Sequence, residues 1–212
     1  MYKILRNEKI SKSSYLLTIK CPIVIKNAMP GQFIIVMSKE DSERIPLTIY
    51  DYNLENGTLD LIYQVVGAST KELSENKDAV FAITGPLGKP NEICKNYEEY
   101  KGKRIVYVAG GVGIAPVYPQ VKYLKEKGFN IDIIYGARSK DLLLIKDKIE
   151  QVASKVYYVT DDGTYGEKGF VTDVLKQHIN EYDICVAIGP VIMMKNVAEL
   201  TKEYNLKTIV SM

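Results

Sequence analysis

Gly110-Gly111-Val112-Gly113-Ile114-Ala115-Pro116 is the stretch whose residue types and spacing speak most directly of chemistry. It follows a continuous apolar run, Ile105–Ala109, that reads as a buried parallel strand. It opens a helical pattern that runs from Pro116 to Lys127 and is closed by Gly128. Glycines let a backbone come close to a ligand. A helix start behind them offers unpaired N–H groups and about half a positive charge, which is what a phosphate requires. Pro116 is placed at N1, where its missing N–H costs nothing. The pattern is not GxGxxG, because Pro116 stands where the third glycine would be. A tight strand-to-helix turn without a ligand is the alternative reading of the same residues.

Two further strand ends carry similar punctuation. Gly136-Ala137-Arg138 follows the second apolar run, and Gly189-Pro190 follows the fourth, just ahead of Met193 and Met194. In open α/β sheets ligands lie over the carboxyl ends of the strands near the switch point, so these loops share one edge with the glycine loop. Arg138 reads either as a contact to an adenosine ribose or its phosphate, or as a solvated loop arginine.

These residues need a scaffold, and the rhythm of the chain supplies one. After Ile105–Ala109 and its helix come a strand at Ile131–Tyr135, a helix around Leu142–Val152 and a strand at Val156–Thr160. A helix at Val171–Ile179, a strand at Ile184–Ile188, a helix at Ile192–Tyr204 and a strand at Thr208–Val210 follow. Such alternation predicts a doubly wound parallel-sheet nucleotide-binding domain. The first half differs. Short β-branched or aromatic runs at Tyr15–Ile19, Phe33–Met37, Leu47–Tyr50, Leu59–Val66 and Val80–Ile83 are separated by turn residues. They predict an N-terminal antiparallel β-barrel, with one short helix at Thr70–Glu75. The polar stretch Asn96–Lys103 is the expected boundary, giving domains 1–98 and 99–212.

Composition narrows the classes. The chain has 212 residues, 28 Lys+Arg against 26 Asp+Glu, 46% hydrophobic and 25% charged residues. That is ordinary globular composition, and a charge of +2 gives no reason to expect nucleic-acid binding. Cys21, Cys94 and Cys185 form no CxxC, so no metal site is expected from them. The start, MYKILRNEKI, has no apolar run. The longest uncharged stretch, Ile105–Val121, carries three Gly and two Pro, so neither a signal peptide nor a membrane span is expected. The expected compartment is a reducing cytoplasm.

Taken together, Gly111-x-Gly113-x-Ala115-Pro116 and the later Gly189-Pro190 resemble the ferredoxin–NADP reductase superfamily. Arg44-Ile45-Pro46-Leu47-Thr48 resembles its flavin motif, and the stretch from Tyr63 and Val65 through Gly67, Ser69 and Thr70 resembles its flavin pyrophosphate loop. Gly85-Pro86-Leu87-Gly88 resembles the turn that ends its barrel. The run from Thr160-Asp161-Asp162-Gly163 to Thr172-Asp173 is similar to a signature of one branch, the small FAD-binding subunit of NADH-dependent ferredoxin:NADP oxidoreductase, also known as sulfide dehydrogenase small subunit. A sister branch is the electron-transfer subunit of dihydroorotate dehydrogenase B.

The resemblance implies an oxidoreductase subunit with FAD on the barrel and NAD, or alternatively NADP, on the α/β domain. Hydride passes between nicotinamide and FAD, and electrons continue to a larger flavin and iron–sulfur partner subunit. Thr48 then stands near the flavin ring as the catalytic hydroxyl, or is an ordinary strand threonine. Arg44 pairs with the flavin pyrophosphate or is a solvated loop charge, since its offset from Thr48 is four where many members have three; Pro46 and Leu47 belong to the same flavin-binding motif. Gly67, Ser69 and Thr70 either cradle a diphosphate, cap their helix, or do both. Tyr63 either flanks a ring of the cofactor or is core. Asp161 and Asp162 orient the nicotinamide ribose or are turn residues. Gly110, Gly111, Gly113, Ala115, Pro116, Arg138, Gly189, Pro190 and Met193 complete the nucleotide set. Relatives of this type continue past Val-Ser-Met into a cysteine-rich segment that binds a [2Fe–2S] cluster. This sequence stops at Val210-Ser211-Met212 directly after a predicted core strand, and truncation is the expectation. A nucleotide-binding regulatory module without catalysis is the alternative of another class.

Overall fold

The computed structural model describes residues 1–211, which fall into two units dividing between Lys95 and Asn96. The first unit contains β1 (Tyr2–Lys9), β2 (Ser14–Lys20), β3 (Phe33–Met37), β4 (Arg44–Asn53), β5 (Thr58–Gln64), β6 (Ala79–Val80) and β7 (Ala82–Leu87). They form one sheet in the order β6-β1-β2-β5-β4-β3-β7, and its pairings are antiparallel. The edge strands β6 and β7 are separated only by Phe81, so the sheet must curl until its two edges meet. Register shifts at Ile4/Arg6, Phe33/Ile35 and Ile49/Asp51 provide the local bends that a curled sheet needs. Leu17, Ile19, Ile34, Val36, Ile49, Leu59 and Leu61 fill the interior, all essentially inaccessible to water. Each contributes about 1.5–3 kcal/mol of burial.

Alternation explains most of this unit, and a bulge explains what alternation missed. In β1 the buried residues are Ile4 and Asn7, three apart rather than two or four, because the shift after Ile4 resets the phase. With charged neighbours as well, the strand carries no period-2 signal. The predicted run Val80–Ile83 is in fact the end of β6 and the start of β7. Short helices α1 (Pro22–Ile25) and α3 (Glu92–Lys95) accompany the longer α2 (Ala68–Glu75), so Thr70–Glu75 is not the only helical stretch of this half.

The second unit is a six-stranded parallel sheet. Its strands are β8 (Ile105–Gly110), β9 (Ile131–Ala137), β10 (Lys155–Thr160), β11 (Glu167–Lys168), β12 (Ile184–Ile188) and β13 (Lys207–Ser211). Their order is β11-β10-β9-β8-β12-β13. The chain moves outward from β8 to β11, then returns to the other side of β8, which makes the β8/β12 border the switch point. Helices α4 (Ile114–Glu126) and α5 (Lys146–Val152) pack together, α4 on β8, β9 and β12 and α5 on β10. Helices α6 (Val171–His178) and α7 (Val191–Glu203) share a second core with Val106, Val108, Ile134, Cys185 and Ala187. The sheet is thus doubly wound, as the strand–helix rhythm predicts.

Two helix starts differ from expectation. Pro116 is the third residue of α4, not the first, because a 3₁₀ turn at Gly111–Gly113 runs straight into the helix. A proline is tolerated there because first-turn N–H groups have no intrahelical partner in any case. The helix expected from Leu142 begins only at Lys146. Ile145 takes a left-handed conformation, φ +47° and ψ +31°, which interrupts the helical path. Among the described residues, no helix is long and apolar enough to cross a membrane.

Candidate functional site

In the α/β unit the glycine loop and the loop after β12 are packed into one another. A Cβ on Gly110 would lie 2.5 Å from Met193 Sδ and 2.9 Å from Pro190 Cδ, and one on Gly189 would lie 3.0 Å from the Gly110 nitrogen. A Cβ on Gly113 would fall on the carbonyl oxygen of Ile188. These glycines are therefore required by packing at the switch point. Gly111 is different. Its φ is +54°, and a Cβ there would meet nothing within 4 Å. It is the one member of the loop with left-handed backbone and open space before it, and it stands at the head of the 13-residue α4. That is the geometry by which a backbone receives a phosphate. Ala115 is buried and serves packing, while Pro116 is half-buried.

Neighbouring strand ends lie level with this loop. Gly110 pairs in register with Gly136, and Thr160 with Ala137. Beyond them the Asp161 N–H donates to the Ala137 carbonyl at 3.1 Å, and the Asp162 N–H to the Arg138 carbonyl at 3.2 Å. Arg138, Asp161 and Asp162 are thereby brought together at the surface. The Asp162 carboxylate accepts the Thr164 N–H and hydroxyl at 2.9 and 2.7 Å, which hold it below the usual carboxylate range. Its side chain is occupied in its own turn, the second of the two readings given to it. Asp161 is exposed.

The barrel unit gathers a second set. Along β4, Arg44, Pro46 and Thr48 share one outward face, whereas Leu47 and Ile49 point into the core. Leu47 can reach a cofactor only through its backbone. The Ser69 hydroxyl donates to the Glu43 carboxylate, which ties the start of β4 to the first turn of α2. No side chain caps α2 at Gly67, and a Cβ on Gly67 would meet nothing within 4 Å. The Thr70 hydroxyl accepts the N–H groups of Val66 and Gly67 at 3.0 and 3.1 Å and donates to the Gly67 carbonyl. Its side chain is consumed by the turn, leaving the first-turn N–H groups of α2 for an anion. The uncapped helix start, the open side of Gly67 and the outward β4 face fit an FAD diphosphate and ring. The open Gly111 fits the pyrophosphate of a pyridine dinucleotide.

Tyr63 and Val65 pack into the barrel unit, Tyr63 fully and Val65 in part. Tyr63 is 2% exposed. Its hydroxyl donates to Asn7 Oδ1 at 3.1 Å and its ring stacks on Tyr15 at 5.8 Å. Asn7 in turn donates to the carbonyls of Leu73 and Asn76, closing the end of α2. Tyr63 is thus core, and burial pushes its phenol up. Val65 packs against the same core, with its N–H on the Ser13 carbonyl.

Two residues the sequence did not single out enter here. Glu43 places a carboxylate at the head of α2, and Tyr135 places a buried hydroxyl under Gly111 at 3.2 Å. Glu43 has no sequence signal; Tyr135 had one, a polar-tipped residue at the carboxyl end of a parallel strand. The three cysteines are buried apart, and no group of three or more His, Cys, Asp or Glu among the described residues could hold a metal ion. A [2Fe–2S] cluster therefore finds no ligand set in them.

The family model for the oxidoreductase NAD-binding domain matches residues 107–199. A protein of Clostridium beijerinckii encoded in the adh 3′ region is 46% identical, with 100% of this chain and 74% of that protein covered. The dihydroorotate dehydrogenase B (NAD(+)) electron transfer subunit homolog of Thermotoga maritima is 42% identical, covering 99% of this chain and 73% of the homolog. Among solved structures, the NADH-dependent reduced ferredoxin-NADP oxidoreductase, studied for flavin-based electron bifurcation, contains a chain that superposes with a TM-score of 0.86 at 37% identity. The match covers 100% of this chain and 76% of that one. A cytochrome b5 reductase domain of Ulva prolifera nitrate reductase, 19% identical with a TM-score of 0.75, shares the fold. With relatives matched along its whole length, the chain belongs to the ferredoxin–NADP reductase superfamily, in the family of electron-transfer subunits that includes those of dihydroorotate dehydrogenase B.

Proposed function

We propose that this protein is an FAD-dependent electron-transfer subunit that moves electrons between NAD(H) and a larger partner subunit. The observation that carries the reading is Gly111, a left-handed backbone open to its surroundings at the switch point and at the head of α4. In the proposal the first-turn N–H groups of α4 and the Gly111 backbone hold the dinucleotide pyrophosphate, Arg138 and Asp161 meet its ribose, and Met193 fills the space beside Gly110 and Gly189. On the barrel, Arg44 and the open turn of α2 hold the flavin diphosphate, and Thr48 offers its hydroxyl to the flavin ring. Bound FAD would supply the exchange of a hydride for single electrons, which nicotinamide alone does not provide. The protein supplies distance and orientation for that exchange.

Relatives that are subunits of larger assemblies support a partner subunit; both a ferredoxin–NADP-type complex and a dihydroorotate dehydrogenase complex fit. The absorption spectrum of purified protein, before and after adding FAD, tests the reading. Flavin bands that bleach anaerobically with NADH are the expected result, and a parallel trial with NADPH decides the nucleotide. A colourless protein that takes up no FAD overturns it.

A further inference from the structure

Tyr135 lies one residue before the end-loop glycine of β9, in register with Ala109 of β8, and is fully buried. Its hydroxyl stands between two backbone groups from different loops. It donates to the Gly111 carbonyl at 3.2 Å and accepts the Leu144 N–H at 2.8 Å. The Gly111 carbonyl also accepts the Ile114 N–H, so both its lone pairs are used within the fold. A trans peptide is planar, and its N–H points opposite to its C=O. Holding the Gly111 carbonyl toward the sheet therefore turns the Val112 N–H the other way, toward the open side of the loop. Burial pushes the Tyr135 phenol up, so the hydroxyl keeps its proton and remains a donor across the working pH range.

The other end of the bridge is also constrained. Leu143 and Leu144 are buried, and Ile145, next in the chain, is a β-branched residue at φ +47°. Left-handed backbone is costly for such a residue, and it persists only where the surroundings over-determine it. The hydrogen bond to Leu144 is one of those surroundings. One hydroxyl thus joins the glycine loop to the segment leading from Arg138 into α5.

Resting on the proposed function, we infer that Tyr135 is a positioning residue of the nucleotide site: through the Gly111 carbonyl it aims the Val112 N–H at the pyrophosphate, and through Leu144 it makes the 139–145 segment respond to the occupied loop.

The test compares the full-length wild type, Tyr135→Phe and Tyr158→Phe by NAD+ titration, steady-state NADH oxidation and thermal unfolding. Tyr158 is the control because its hydroxyl bonds Glu150 instead of the loop. Tyr135→Phe should weaken NAD+ binding by roughly fivefold to tenfold, raise KM for NADH by a similar factor and leave kcat and flavin content unchanged. Tyr158→Phe should leave the affinity within twofold. Unchanged NAD+ affinity in Tyr135→Phe overturns the inference while leaving the proposed function intact. Equal losses in both variants, tracking their melting temperatures, overturn it too. A wild type that binds no NAD+ ends both. Hydrogen exchange on the wild type covers the case in which Tyr135→Phe does not fold: NAD+ should slow the Val112 and Leu144 amides together, and protection of Val112 alone overturns the inference.

Discussion

A Cβ on Gly113 would fall on the carbonyl oxygen of Ile188 and lie 2.9 Å from the Gly189 Cα. The first turn of α4 is therefore seated directly on the end of β12, with backbone on both sides and no flexible side chain to give way. Gly113→Val should force the loop off β12, cost about 1–3 kcal/mol and abolish reduction by NADH. Flavin content should be unchanged, because the residues assigned to FAD belong to the other unit. Absorbance of the purified variant, with and without NADH under anaerobic conditions, checks this. Loss of flavin would show that the division of labour between the units is wrong.

Glu43 sits at the head of α2 on the Ser69 hydroxyl, where a flavin diphosphate would compete with it for the same helix end. Glu43→Gln removes a negative charge without removing bulk. FAD affinity should rise by about two- to fivefold at low salt, with the gain shrinking as ionic strength increases. Titration of the apoprotein with FAD at two salt concentrations measures it. A fall in affinity would mean that the carboxylate holds the loop in its binding shape.

Arg104 and Asp183 precede the adjacent strands β8 and β12, and their side chains meet at 3.1 Å. Hydrogen bonds from the Arg104 side chain and N–H lower the Asp183 carboxyl from 3.8 to about 2. A carboxylate whose folded value is depressed stabilises the fold above its unfolded value and loses that contribution as pH falls. The contribution is complete above about pH 4 and disappears toward pH 2. Asp183→Asn should be less stable than wild type at pH 7 and converge with it in strong acid. Denaturation midpoints at several pH values check the sign; a constant difference across the range contradicts it.

Burial pushes the thiols of Cys21 up to about 11 and those of Cys94 and Cys185 up to about 12. Thiolate, the reactive form, is scarce and shielded in the native protein. A thiol reagent at pH 8 should find no fast-reacting cysteine, and all three should react together when the chain unfolds. A rapid native burst counts against the packing described here.

The parallel sheet was legible because its strands are buried on both faces. Runs such as Ile105–Ala109 and Ile184–Ile188 are continuous, and the glycines that interrupt them fall where a helix must start. β4 was legible only in its middle, Leu47–Tyr50; that the strand runs from Arg44 to Asn53, with Arg44, Pro46 and Thr48 on one outward face, was decided by the pairing with its neighbours. What the sequence could not determine depends on neighbours far along the chain. β1 was hidden because a bulge shifts its phase and its buried asparagine serves α2. Tyr63 read as core or cofactor until Asn7 was placed beside it. Gly111 and Gly113 look alike in sequence, yet one faces open space and the other the backbone of β12. Pattern reports local periodicity, whereas the role of a glycine, a hydroxyl or a carboxylate is set by what the fold brings within about 3 Å of it.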